Sequence, residues 1–153
     1  MSIPANIGHA VQQTQEWLKG LCDSGAYADE AEAFAILRAV LHQLRDRLTP
    51  DEAVDLGAQL PLIVRGLYYE GWRPSKTPEK LRSKEEFLDG VATKLAPRPI
   101  SAESATRDVF SLLSLALDSG EIADVINQLP ASMKVLWPAG MRTWAAKRAD
   151  RVS

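Results

Sequence analysis

The sequence predicts an all-α fold, and three observations predict it. Apolar residues recur at steps of three and four along most of the chain. Cap-forming residues stand three positions ahead of glutamates where several of these stripes begin. No stretch alternates apolar and polar residues between turn residues, as a strand does.

The elements follow in order. Ile7, Ala10, Val11, Thr14, Trp17, Leu18 and Leu21 form one stripe of a first amphipathic helix. Asp29, with Glu32, caps a second helix whose stripe is Ala33, Leu37, Val40, Leu41, Leu44 and Leu48. Thr49-Pro50-Asp51-Glu52 opens a third. There the threonine oxygen accepts an orphan N–H, proline suits the first helical position, and the glutamate reaches back to the cap. Leu60-Pro61 breaks this helix, because proline lacks the N–H and clashes with the carbonyl four residues earlier. A further segment ends at Tyr68-Tyr69-Glu70-Gly71-Trp72, where a left-handed Gly71 stops the helix and folds Trp72 back on Leu67. Residues 73–82 are a polar connection in which Thr77-Pro78-Glu79 opens a short helical turn.

The second half repeats the plan. Ser83 with Glu86 caps a helix bearing Phe87, Leu88, Val91 and Leu95. After the stiff Pro97-Arg98-Pro99, Ser101 caps another bearing Val109, Phe110, Leu113 and Leu117. Asp118 with Glu121 opens the next, and Leu129-Pro130 breaks it. Shifted by 69 positions, Ala33–Leu67 falls on Ala102–Leu136 without a gap, with 11 of 35 positions identical. Composition alone gives roughly two. Arg38 falls on Arg107, and Gln59-Leu60-Pro61 on Gln128-Leu129-Pro130. The reading is therefore one helical domain over 1–153, built from duplicated three-helix units at 14–72 and 83–140. About six main helices plus short ones pack as one bundle with pseudo-two-fold symmetry, followed by a basic tail at 141–153. Leu44, Leu48, Leu60, Leu113, Leu117 and Leu129 belong to its core. Arg38 and Arg107 are expected either to satisfy the carbonyls, or the glutamine, at Gln59–Pro61 and Gln128–Pro130, or to form ordinary surface pairs with an acid.

Composition narrows the function classes. Apolar residues make up 46% and charged residues 25% of 153, the balance of a folded globular protein. With 18 basic against 20 acidic side chains, net charge −2, no surface is globally devoted to nucleic acid or anionic lipid. A single cysteine, Cys22, fits a reducing compartment. No secretory signal opens the sequence, and no apolar run approaches the ~20 residues of a membrane span. A cytoplasmic protein is expected. Cys22, His9 and His42 show no zinc spacing, and no phosphate-binding glycine loop or nucleophile elbow occurs, so no metal, cofactor or catalytic residue is assigned. His42 and Cys22 read as packing residues, and the carboxylates at helix starts as partners of the helix dipole.

A resemblance follows from particular residues. Arg38-Ala-Val-Leu-His-Gln-Leu-Arg-Asp-Arg-Leu48, Asp51-Glu-Ala53, Ala58-Gln-Leu-Pro61 and Gly66-Leu-Tyr-Tyr-Glu-Gly-Trp72 are the motifs that carry it. In these, and over about Trp17 to Gly140, the chain resembles the bacterial family called domain of unknown function 2267. The resemblance implies a small helical, cytoplasmic bacterial protein and brings no catalytic residue with it.

Three function classes remain, and a non-enzymatic protein-interaction or self-association module leads them, partly by elimination. Its candidate partner surface is Arg65, Tyr68 or Tyr69, Glu70 and Trp72, since aromatics with a polar tip are enriched at binding hot spots. The second half runs Trp137-Pro138-Ala139-Gly140 where the Tyr-Tyr-Glu-Gly-Trp box stands, so duplication alone does not require that box. The second class is a nucleic-acid regulator acting through a helix-turn-helix-like segment, 49–69, and the tail's Arg142, Lys147, Arg148 and Arg151. Pro61 in the recognition position, and Arg65 as the sole base-reading side chain beyond it, weigh against that class. The third is a small-molecule-binding protein or enzyme.

Overall fold

The computed structural model describes residues 3–152. Among these there are eight α-helices and two short 3-10 segments. The first four helices are α1 (Ala5–Gly25), α2 (Glu30–Arg45), α3 (Pro50–Gln59) and α4 (Leu62–Tyr69). After a 3-10 turn at Pro74–Lys76 come α5 (Lys84–Leu95), α6 (Ala102–Ala116), α7 (Ser119–Gln128), a 3-10 segment at Ala131–Leu136, and α8 (Ala139–Val152). No strand occurs among the described residues.

Local chemistry starts five of the helices where the sequence places them. The side chains of Asp29, Thr49, Ser83, Ser101 and Asp118 accept from the N–H groups of Glu32, Glu52, Glu86, Ser104 and Glu121. Both Leu-Pro pairs break the chain in one conformation. Leu60 and Leu129 are extended at φ −78°, ψ 146° and φ −90°, ψ 153°, and Pro61 and Pro130 precede the following helical segments. The short turn in the connection ends at Thr77 instead of starting there. Residue Pro74, with its preset φ, nucleates it four residues earlier. The connection is pinned to the end of α2: Glu79 N–H donates to Asp46 O at 2.8 Å, and Arg47 pairs with the Glu79 carboxylate at 2.7 Å.

Helices from both halves build one apolar cluster. Helix α1 packs on α2 and α6, α5 packs on α6 and α2, α2 meets α6, and α3 meets α7. Two of these crossings use small residues. A Cβ added to Gly90 of α5 would collide with the Gln43 side chain of α2, and one added to Gly20 of α1 would touch Leu112 of α6 at 4.0 Å. Leu44, Leu48, Leu60, Leu113 and Leu129 are buried as expected, whereas Leu117 is partly exposed at the α6–α7 corner. Two residues of the first stripe depart from the core. Ile7 is 50% and Val11 39% exposed, because the first turns of α1 extend past the helices that cover Ala10, Thr14, Trp17, Leu18 and Leu21. The tail is an ordered helix as far as it is described. α8 lies on α7, with Ala145 buried, Asn127 Nδ2 donating to Ala145 O, and Arg148 bonded to Asp124 at 2.9 Å.

Candidate functional site

The end of α4 carries the residues that the sequence singles out. Gly71, at φ 69°, takes the left-handed conformation that stops the helix, and Trp72 N–H bonds back to Tyr69 O. Two tyrosines adjacent on a helix point about 100° apart, so one burial site cannot take both. Tyr68 goes inward. It is fully buried, and its hydroxyl donates to Ala53 O of α3 at 2.7 Å. Burial pushes the Tyr68 phenol far above its ordinary value. Tyr69 is half-buried, edge-on to Tyr68 at 5.0 Å and 5.4 Å from the Trp72 ring. Gly57 makes room for this stack, since any Cβ there would run into the Tyr69 hydroxyl. The spacing Ala53-x-x-x-Gly57 thus serves the close approach of α4 to α3.

Tyr68 is consequently no part of an exposed surface. Its position in the duplicate register is Trp137, which is also buried, stacked on Phe110 at 3.8 Å. The box therefore has a packing counterpart at its first tyrosine, and only Tyr69, Glu70 and Trp72 are peculiar to the first half. Replacing Tyr68 with phenylalanine keeps the ring and leaves Ala53 O without its donor. Thermal unfolding is expected to report a loss of about 1–2 kcal/mol, or roughly 2–8 °C in melting temperature.

Arg65 is spent on backbone. Its Nε donates to Gly57 O at 2.9 Å and its Nη2 to Ala58 O and Leu60 O, the carbonyls that the α3 break leaves open. That is the task expected of Arg38, which lies elsewhere. Helix α2 packs on α4, so Arg38 faces the far end of α4 and pairs with Glu70 at 3.3 Å, half exposed. Arg107 does bond a carbonyl, but it is Val135 O at 2.9 Å, with Glu103 as its ion-pair partner. Neither arginine reaches Gln59–Pro61 or Gln128–Pro130. The two glutamines diverge as well. Gln128 Oε1 accepts from Thr49 N–H at 3.2 Å, capping α3 from the other half, while the Gln59 side chain is exposed.

Two polar constellations escape a reading of the sequence. The first runs along α2. His42 Nε2 donates to Leu67 O at 2.7 Å, and Arg45 Nη1 donates to Tyr68 O at 2.6 Å and Glu70 O at 2.8 Å. Arg45 is buried, with Asp46 as its counter-ion at 2.9 Å. Together they close the negative end of α4. Burial holds the His42 imidazole below its ordinary pKa, which suits a neutral ring donating one hydrogen bond.

The second constellation lies where α3 crosses α7. Because Gln128 takes the Thr49 N–H, Glu52 does not reach back to its cap. Its carboxyl lies against the Glu121 carboxyl instead, and the Oε1 atoms of both are buried without a hydrogen-bond partner among the described residues. Two ionised carboxylates are acceptors only, so a bond between them would require a proton on one. Burial first, then Glu121, push Glu52 up to about 9, with Asp124 and Asp55 adding to the effect.

No group of three or more His, Cys, Asp or Glu among the described residues is arranged to hold a metal ion. No helix among them is long and apolar enough to cross a membrane. The family model described as "Uncharacterized conserved protein (DUF2267)" matches residues 14–136. No curated protein matches the chain.

Proposed function

The chain belongs to this uncharacterized conserved family, DUF2267, whose description assigns no activity, and from that premise we propose that it is a non-enzymatic module that associates with a second copy of itself. The observation that carries the reading is the outer face of α1. Ile3 precedes the helix, and Ile7 and Val11 follow at four-residue steps, all exposed. Residues 1–15 contain no Asp, Glu, Lys or Arg. An uncharged face with an apolar ridge meets its own copy without like-charge repulsion, which favours a two-fold contact over an unlike partner. Leu62 of α4, also exposed, enlarges the apolar surface. With Gln13 and Trp17 it lines a groove of about 380 Å³ beside α1.

Sedimentation of the full chain over a wide concentration range tests this. The wild type is expected to show a reversible dimer. The double variant Ile7→Lys, Val11→Lys is expected to be monomeric with an unchanged melting temperature, both sites being exposed. A wild-type chain that stays monomeric throughout overturns the reading. So does a dimer that survives the double variant and dissociates on Tyr69→Ala, which would put the contact at the half-exposed Tyr69, Glu70 and Trp72.

The same premise covers the architecture. We propose that the halves are copies of one unit related by an approximate two-fold axis. Supporting this, the crossings of α1 on α6 and α5 on α2 use Gly20 against Leu112 and Gly90 against Gln43, the two glycines being 70 positions apart and Gln43 and Leu112 being 69 apart. The two Leu-Pro breaks, alike within about 12° in every angle compared, support it too.

A further inference from the structure

A second surface is independent of that association. Where the end of α5 passes α2, a cleft of about 330 Å³ opens. Arg38, Lys94 and Arg98 are its charged lining residues, His42 and Ala39 lie in it, and no carboxylate lines it. Arg98 sits between two prolines and has no side-chain partner among the described residues. Lys94 has only a neutral one: its ammonium donates to Gln43 Oε1 at 2.8 Å. The Phe34 ring, 37% exposed, stands in the same lining.

The other half shows what a neutralised version of this place contains. In the 69-residue register Arg38 matches Arg107, Phe34 matches Glu103, and Ala39 matches Asp108. Glu103 meets Lys84 at 3.4 Å and Arg107 at 3.7 Å, and Asp108 accepts the Tyr27 hydroxyl. Both acids there are satisfied and the cations are balanced. In the first half an aromatic ring and a methyl replace the two acids. Arg38 is held by Glu70, which does not line the cleft, and Lys94 and Arg98 face a space of ligand size with no carboxylate partner of their own among the described residues.

We propose that this cleft binds a small organic oxyanion, a phosphate or carboxylate carrying an apolar group. The oxyanion lies among Lys94, Arg98 and Arg38, and the apolar group lies on Phe34. Guanidinium groups offer planar, forked donors that match both oxyanions. Lys94 accords with this: burial of its ammonium and the neighbouring Arg47 hold it below the ordinary lysine range, and an anion relieves both.

Titration of the isotope-labelled full chain with phenyl phosphate and with benzoate, followed by amide chemical shifts, tests the assignment. Inorganic phosphate and phenol serve as controls. At least one of the two aromatic anions is expected to saturate and to shift amides of residues 34–39 and 94–98. Inorganic phosphate and phenol should each bind at least tenfold more weakly. Arg98→Glu and Phe34→Glu, both at exposed positions, should each weaken the aromatic anion at least tenfold without moving the melting temperature. The second gives the cleft the residue its counterpart carries. The proposal is overturned if neither anion saturates at concentrations on the order of 10 mM. It is equally overturned if the shifts map to α8, if inorganic phosphate binds as well as the aromatic anions, or if Arg98→Glu leaves affinity within twofold.

Discussion

Replacing Arg45 with alanine is expected to destabilise the chain by about 2–5 kcal/mol, because one buried and one part-buried carbonyl lose their donor at once. Tyr68 O and Glu70 O both accept from one guanidinium nitrogen, and the Nε of the same group holds Asp46. Alanine leaves all three acceptors without this partner at the crowded end of α4, and Asp46 is left as a part-buried charge. For a chain of this length the melting temperature should fall by roughly 10 °C. Lysine should recover little of it, since one ammonium on a flexible stem cannot reproduce the fork that spans the two carbonyls and the carboxylate. Denaturant titration followed by far-UV circular dichroism checks both variants. A loss below about 1 kcal/mol for alanine, the range of ordinary surface changes, would show that water replaces the guanidinium without cost.

The Glu52–Glu121 pair sets a dependence on pH whose sign is unambiguous. The folded chain holds the Glu52 proton up to about pH 9, while the unfolded chain releases it near the ordinary glutamate value of 4.5. The folded state therefore binds more protons between those values, and stability falls as pH rises through the window. The contribution is complete below about pH 4.5 and lost by about pH 9. One proton gives a slope of at most ~1.4 kcal/mol per pH unit. Glu52→Gln retains the shape and a donor toward Glu121 but has no proton to lose. At pH 8 it should be more stable than the wild type by about 2–4 kcal/mol, and at pH 5 nearly equal to it. Parallel stability profiles for the two chains between pH 5 and pH 9 would show that the carboxyl pair ionises freely.

What was legible in the sequence is local in origin. A cap needs only its own oxygen and an N–H three residues on, and a Leu-Pro break needs only the missing donor, so Thr49, Ser83, Pro61 and Pro130 could be read directly. Gly71 as a stop is of the same kind. The outcomes that depend on which helix lies opposite were not legible. Arg45 sits amid an apolar stripe and looks like a surface cation until α4 is laid across it. Glu52 has the spacing of a capping box, and only the arrival of Gln128 from the other half diverts it to Glu121. Arg65 took the role expected of Arg38 for a similar reason, since α2 meets the end of α4 and not the α3 break. Ile7 and Val11 fit a core stripe by period, and period alone does not say how far the covering helices extend. That no carboxylate lines the cleft beside Lys94 and Arg98 became visible only when α5 was placed against α2.

Partner exchange between the halves has a consequence for assembly. Each half's first helix covers the second helix of the other, so a half-length chain alone would expose both surfaces. Two such chains would bury them through an isologous contact, in which residue i of one meets residue j of the other and the reverse. With the halves related by the two-fold axis proposed above, the interior of this protein would have that topology, with residues 73–82 as a tether between what would otherwise be protomers. A tether of this kind replaces bulk concentration with an effective one, in the millimolar range for short links. Formation of the core is thereby a unimolecular event that dilution does not weaken, whereas the self-association proposed for the outer face of α1 would be governed by mass action.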